Sequence, residues 1–95
     1  MKTPVIYGDG YIVYLEYHAD LSFIHCDCHR WNKAVKAALS ADFDKLLQIH
    51  RKPLLAIHDI EDKKHLKFLQ MFGFTFHNEI RGLDNIMRHL YTRGS

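Results

Sequence analysis

Residues 23–31, FIHCDCHRW, place five possible metal ligands at consecutive positions. They are His25, Cys26, Asp27, Cys28 and His29. Imidazole, thiolate and carboxylate groups are the usual zinc ligands. On a β-strand, however, side chains alternate, so the two cysteines point away from the other three residues. Three ligands at positions i, i+2 and i+4 span about 13 Å, too far for bonds of about 2 Å to one ion. We therefore predict no metal site within this stretch.

The same residues allow two further interpretations. Cys26 and Cys28 could be small apolar side chains buried against a helix layer, since free cysteine behaves as a small hydrophobe. His25, Asp27 and His29 would then form a polar face of the sheet. Alternatively, His25 or Asp27 could transfer protons in a reaction. The sequence leaves these interpretations open.

Length and composition limit the classes of protein. The chain has 95 residues, 47% hydrophobic and 25% charged, which is typical of one globular domain over residues 1–95. A net charge of +2 is too small to favour nucleic-acid binding. We expect no membrane segment, because no apolar run approaches 18 residues. Two cysteines one residue apart form a strained disulfide, so we expect a reducing, cytoplasmic location.

The N-terminal third has the period of β-strands. Residues 4–8 and 11–18 predict a hairpin across Gly8-Asp9-Gly10, where glycine tolerates positive φ. Residues 11–18 alternate, with Tyr11, Val13, Leu15 and Tyr17 on one face of the strand. Residues 21–29 predict the third strand of this group.

The pattern then changes to helical spacing. Residues 32–50 predict a helix with an Asn32 N-cap, and Pro53 prevents its continuation. The following segments are predicted as a strand (53–58), a helix (61–72) and two strands (74–80 and 86–92). The order β-β-β-α-β-α-β-β predicts an α/β (α+β) domain with a mixed, mostly antiparallel sheet. Strands 21–29 and 53–58 should be its parallel pair, because a helix crosses between them.

This order resembles the core of the GNAT superfamily of N-acetyltransferases. Residues 65–74, HLKFLQMFGF, are similar to the family's late helix and the glycine and aromatic residue after it, with matches at Phe68, Gly73 and Phe74. The resemblance covers residues 5–92, mainly as element order. It implies a GNAT-like core without the family's first strand and first two helices, of a kind also encoded by phages.

The resemblance also implies acetyl-coenzyme A as the cofactor. The family's pyrophosphate loop corresponds here to residues 30–36, and the implied cofactor-binding residues are Arg30, Trp31, Asn32, Lys33, Ala34 and Lys36. Lys33 and Val35 stand where the family has glycine. Independently of the resemblance, cations are unfavourable at a helix N-terminus, and a bound anion would compensate for Arg30, Lys33 and Lys36.

For catalysis, the resemblance implies a general base near the middle strands. His58, His25 and Glu16 are the alternative candidates. The family often has a tyrosine on its late helix that protonates the departing thiolate. Leu69 occupies the matching position here and has no proton to donate.

Three functions remain open from the sequence. The first is an acyl-coenzyme A-dependent N-acetyltransferase, or a cofactor-binding descendant, acting on an unknown amine in the cytoplasm. The second is a non-catalytic, host-directed or virion protein that binds a partner or a second copy through an exposed sheet face bearing Ile12, Tyr14, His25 and Asp27. The third is a metal-binding module.

Overall fold

A computed structural model describes residues 1–94 of the chain. Its elements are β1 Lys2–Gly8, β2 Tyr11–His18, β3 Leu21–Cys28, α1 Lys33–His50, β4 Leu54–His58, α2 Lys63–Met71, β5 Thr75–Arg81 and β6 Met87–Arg93. The predicted α+β class and element order are confirmed. The largest differences at an element start are two residues. Strand β1 begins two residues earlier than predicted, and α2 begins two residues later because Asp62 caps it.

The strands form one sheet in the order β1-β2-β3-β4-β6-β5. Strands β1, β2 and β3 pair antiparallel, as do β4, β6 and β5. The two groups meet at the predicted parallel pair, β3 and β4. Pairing there joins Ser22 to Leu54 and Phe23 to Leu55. The sheet is therefore two antiparallel halves joined by a short parallel contact.

Both helices pack on one face of the sheet, which we call the inner face. Along β2 this face carries Tyr11, Val13 and Leu15, which are buried. The alternate residues, Ile12, Tyr14 and Glu16, lie half-buried on the opposite, outer face. The period-2 pattern of the sequence thus identified the side that packs against the helices.

The first helix begins and ends with local signals. The Asn32 side chain accepts a hydrogen bond from the Val35 N–H at 2.8 Å, as an N-cap does. Val35, Leu39, Phe43 and Leu46 are buried at helical spacing. Ile49 lies off this stripe, with 71% of its surface exposed. Neither helix of the described residues combines the length and apolar composition needed to cross a bilayer.

The second helix joins the first through aromatic contacts. Phe43 of α1 makes edge-to-face contacts with Phe68, Phe72 and Phe74, at centroid distances of 6.4, 5.2 and 5.8 Å. Gly73 follows the helix with φ +78°, a conformation that glycine adopts easily, and the chain then turns into β5. The aromatic cluster fixes the two helices relative to each other and to the sheet.

Candidate active site

A cleft opens where β3 and β4 separate. The two strands diverge from Ile24 and Ala56 onwards, after their two paired positions. The cleft has a volume of about 470 Å³, within the range of small-molecule sites. Its lining comes mainly from residues 24–28 of β3, Ala56 and Ile57 of β4, and α2.

The cleft reaches both faces of the sheet. Ile24 and Cys26 line it from the inner face, next to the helices. His25 and Asp27 line it from the outer face. A ligand on the helix side and a second molecule on the outer side could therefore meet between the two strands.

On the outer face, Glu16 and His25 form a hydrogen-bonded pair. Nε2 of His25 lies 2.9 Å from Oε1 of Glu16, across the β2–β3 ladder. Nε2 of His18 lies 3.2 Å from the other oxygen of the same carboxylate. The hydrogen bonds from His25 and His18 lower the pKa of Glu16, so the carboxylate stays ionised at neutral pH. This pair joins two of the three predicted catalytic candidates.

His58 lies on the inner face, at the carboxyl end of β4. Its side chain is buried, with 1% exposed, and it is not among the residues that line the cleft. Its Nδ1 atom lies 3.0 Å from Nδ1 of His65, which does line the cleft. The third candidate therefore contacts the cleft through another histidine.

Sequence reasoning did not single out His65. The residue is placed by Asp62, whose carboxylate accepts the His65 N–H at 3.0 Å and starts α2. Its ring then lies beside His58 and stacks near Phe68. The available signal was helical spacing, since His65 precedes the buried Leu69 by one turn.

The loop between β3 and α1 is held against the β1–β2 turn. The N–H groups of His29 and Arg30 both donate to the Gly10 carbonyl, at 2.6 and 3.2 Å. Arg30 also forms an ion pair with Asp9 at 3.0 Å. The contact is close, because a Cβ atom at Gly10 would lie 2.7 Å from Cβ of Arg30. These contacts fix where the first turn of α1 begins.

The implied cofactor-binding residues surround that first turn. Lys33 and Lys36 are exposed, and Trp31 packs edge-to-face on Phe72 at 6.2 Å. The Asn32 side chain accepts the N–H of Val35. Lys33 and Ala34 are the first two residues of the helix, so their N–H groups have no intrahelical acceptor. Val35 is buried in the core, so replacing glycine there adds its side chain to the helix–sheet packing.

The two cysteines line the cleft together. Their sulfur atoms lie 3.7 Å apart on the inner face, with Cys26 half-buried and Cys28 exposed. Burial, reinforced by Cys28, raises the pKa of the Cys26 thiol and keeps it protonated. Within residues 1–94, no group of three or more His, Cys, Asp and Glu side chains is placed to hold a metal ion.

Comparisons with known proteins support the fold. No protein-family model matches the chain, and no curated protein matches it. The fold is similar to that of a ribosomal-protein-S5-alanine acetyltransferase from Vibrio fischeri, with a TM-score of 0.66 and 11% identity over 87% of this chain. It is also similar to a protein from Bordetella pertussis assigned to the GNAT acetyltransferases, with a TM-score of 0.66 and 12% identity over 87% of this chain.

The chain spans about half the length of those two structures, 52% and 56% respectively. At this level of identity the similarity concerns the fold. The match includes the mixed sheet with its two helices. The chain therefore has the fold of the GNAT superfamily.

Proposed function

We propose that the chain is an N-acetyltransferase that uses acetyl-coenzyme A. The observation that carries the proposal is the cleft between β3 and β4, which opens to both faces of the sheet. Its inner side can hold a long acyl donor beside the helices. Its outer side presents His25 to an incoming amine.

The residues along the cleft fit such a donor. Where β3 and β4 diverge, the facing backbone groups of residues 24–28 and 56–58 are available to the amides of an extended pantetheine arm. At the end of β3, the first turn of α1 offers the free N–H groups of Lys33 and Ala34 to a pyrophosphate. Lys33 and Lys36 add positive charge there. When bound, acetyl-coenzyme A supplies the acetyl group as an activated thioester.

His25 acts as the general base in this proposal. Glu16 stays ionised and accepts the Nε2–H of His25, which fixes the neutral tautomer with a free lone pair on Nδ1. That lone pair can take a proton from the attacking amine, while Glu16 stabilises the imidazolium that results. Backbone N–H groups at the strand edges polarise the carbonyl under attack.

A calorimetric titration with coenzyme A tests the proposal. We expect saturable heat, weakened about threefold to tenfold by Lys33→Ala or Lys36→Ala, because each removes one charge near the phosphates. Lys45→Ala is the matched control, since Lys45 is exposed on the same helix but two turns or more from its N-terminus. It should leave the affinity unchanged.

The absence of heat at millimolar coenzyme A would contradict the proposal. The interaction module would then be the function to test, by light scattering of the purified chain. A particle larger than a monomer would favour assembly through the outer face. Equal weakening by Lys45→Ala would show that the phosphates bind somewhere other than the start of α1.

A further inference from the structure

The two histidines on the helix side of the cleft form a pair joined by one proton. Nδ1 of His58 lies 3.0 Å from Nδ1 of His65, and the ring centroids are 5.1 Å apart. A hydrogen bond between two ring nitrogens needs a proton on one and a lone pair on the other. Since both Nδ1 atoms are used, Nε2 of His65 remains for a ligand in the cleft.

The surroundings hold this pair in place. His58 has 1% of its surface exposed and contacts Tyr91 and His89 of β6, at centroid distances of 5.6 and 6.4 Å. The charges that affect the pKa of His65 on α2 come from Asp59, Asp62, His25 and His58. A buried imidazole behind an accessible one is the arrangement that orients a proton donor or acceptor.

We propose that the His58–His65 pair delivers the proton to the sulfur atom that leaves when the thioester is cleaved. This inference rests on the proposed function. The amine takes the acetyl group on the outer side, where His25 lies, and the sulfur departs on the inner side, where His65 lies. One histidine system therefore faces each of the two atoms whose protonation changes.

The step balances in atoms and charge. Before it, the pair carries one excess proton, with N–H groups at Nε2 of His65 and at both ring nitrogens of His58. The Nε2 proton moves to the thiolate, and the proton between the two Nδ1 atoms moves onto His65. The pair loses one positive charge, the sulfur loses one negative charge, and water restores the proton after the thiol leaves. The proton taken up by His25 passes to solvent.

The coupling limits the pair to one excess proton. A second one would break the Nδ1–Nδ1 hydrogen bond and place two charges side by side. Burial, reinforced by the neighbouring His58, lowers the pKa of His65, and Asp62 and Asp59 oppose this shift. A donor with a lowered pKa is a stronger acid and gives up its proton readily to a thiolate, because the corresponding thiol has a usual pKa of about 8.5.

The deciding variant is His65→Gln, which keeps a polar side chain but cannot release a proton. With acetyl-coenzyme A, we expect kcat to fall about 100-fold with KM little changed, and the alkaline limb of the pH profile to disappear. With acetyl-selenocoenzyme A, the leaving selenolate is a weaker base and needs no proton. The deficit of the variant should then shrink to about threefold or less. His77→Gln, on exposed β5, is the matched control and should behave as wild type.

A second measurement does not depend on turnover. In the histidine-ring nitrogen spectrum, coenzyme A should shift the His65 and His58 signals, whereas desulfo-coenzyme A should leave them in place. His58→Gln removes a buried ring and can also disturb the fold. A loss of activity in this variant therefore supports the proposal only when its melting temperature matches that of the wild type. The decision rests on His65→Gln, because His65 is half-buried at the surface of α2.

The outcomes separate the two proposals. If wild type transfers acetyl groups and His65→Gln is equally active, the histidine pair is not the donor and the proposed function stands. A deficit of the same size with the selenoester would also overturn the proton-donor role. If wild type neither binds coenzyme A nor transfers acetyl groups, the proposed function fails and this inference fails with it.

Discussion

The Glu16 carboxylate contacts two imidazoles, and only one of the two lines the cleft. His25 and His18 contact different oxygens of Glu16, and His25 alone of the two borders the gap between β3 and β4. Their shared partner makes it possible to separate a role in the reaction from a role in local structure.

We expect Glu16→Gln to lower kcat about tenfold, because an amide stabilises the His25 imidazolium less than a carboxylate does. His25→Gln should lower kcat further, whereas His18→Gln should leave it unchanged. Steady-state rates across pH 5 to 9 check this, and equal losses in all three variants would contradict the assigned roles.

At the residue scale, the sequence identified candidate side chains but not the contacts between them. Glu16 and His25 were both named as candidates, but their contact needed the β2–β3 register that pairs neighbouring positions. His65 was missed because the direction of its ring depends on how α2 packs against β4. His58 was named for its place at a strand end, and its burial depends on β6, which follows about 30 residues later.

At the element scale, Phe43 is the contact between the two helices. Its ring is fully buried, it lines the cleft, and the guanidinium of Arg93 lies 5.6 Å from its centroid. The width of the cleft therefore depends on this aromatic side chain as well as on the strands.

Phe43→Ala should destabilise the fold by about 3–5 kcal/mol, because it leaves a cavity among three aromatic rings. Ile49→Ala, at an exposed position of the same helix, should change stability by no more than about 0.5 kcal/mol. Urea unfolding followed by circular dichroism measures both. A small loss in Phe43→Ala would mean that α2 closes the cavity, and coenzyme A affinity would then report the altered cleft.

The β1–β2 turn positions the first turn of α1 through Gly10. This residue has φ +92°, and its carbonyl accepts two N–H groups of the β3–α1 loop. The sequence predicted the turn, because Gly8-Asp9-Gly10 is a local signal. It did not predict the contact with the loop, which joins residues about 20 positions apart.

Gly10→Ala should destabilise the chain by about 1 kcal/mol or more and weaken coenzyme A binding as well. The added Cβ would clash with Arg30 and push the loop away from its position. Thermal melting and calorimetry measure the two effects. Asp9→Asn is the control: it removes the exposed ion pair without changing the turn, and its effect should be small. If Gly10→Ala lost stability but kept its affinity, the position of the β3–α1 loop would not matter for coenzyme A binding.

At the scale of the whole molecule, ion pairs at the start of β6 contribute to resistance to acid. Arg88 forms ion pairs with Asp84 at 2.8 Å and with Asp59 at 3.0 Å. The Arg88 hydrogen bond, helped by the Ile86 N–H, lowers the pKa of Asp84 to about 2. A lowered pKa stabilises the folded state above the unfolded pKa of 3.8, and this stabilisation is lost as pH falls towards 2.

Asp84→Asn should therefore reduce the melting temperature at pH 6 but make little difference near pH 2. The gap between wild type and variant should close mainly between pH 4 and pH 2. Melting curves at half-unit steps measure it. Glu61→Gln is the control, since Glu61 is exposed, and its gap should stay small at every pH. A gap for Asp84→Asn that is independent of pH would contradict the ion-pair explanation.

The fold as a whole was predictable because each element carries a local pattern and one helix crosses between parallel strands. The hydrophobic pattern alone does not show the separation of β3 and β4, since a strand that loses its partner keeps the same alternation of side chains. The feature that makes the cleft therefore leaves no mark in the hydrophobic pattern.

The short β3–β4 contact divides the sheet into halves that are each continuous in the chain. Residues 1–28 hold β1, β2 and β3, and residues 54–94 hold β4, α2, β5 and β6, with α1 leading from one half to the other. The connecting residues Arg51, Lys52 and Pro53 are exposed. Two fragments separated there should reassemble into one particle held by the aromatic contacts of α1. Such a split pair would report on any ligand that joins the two sides of the cleft.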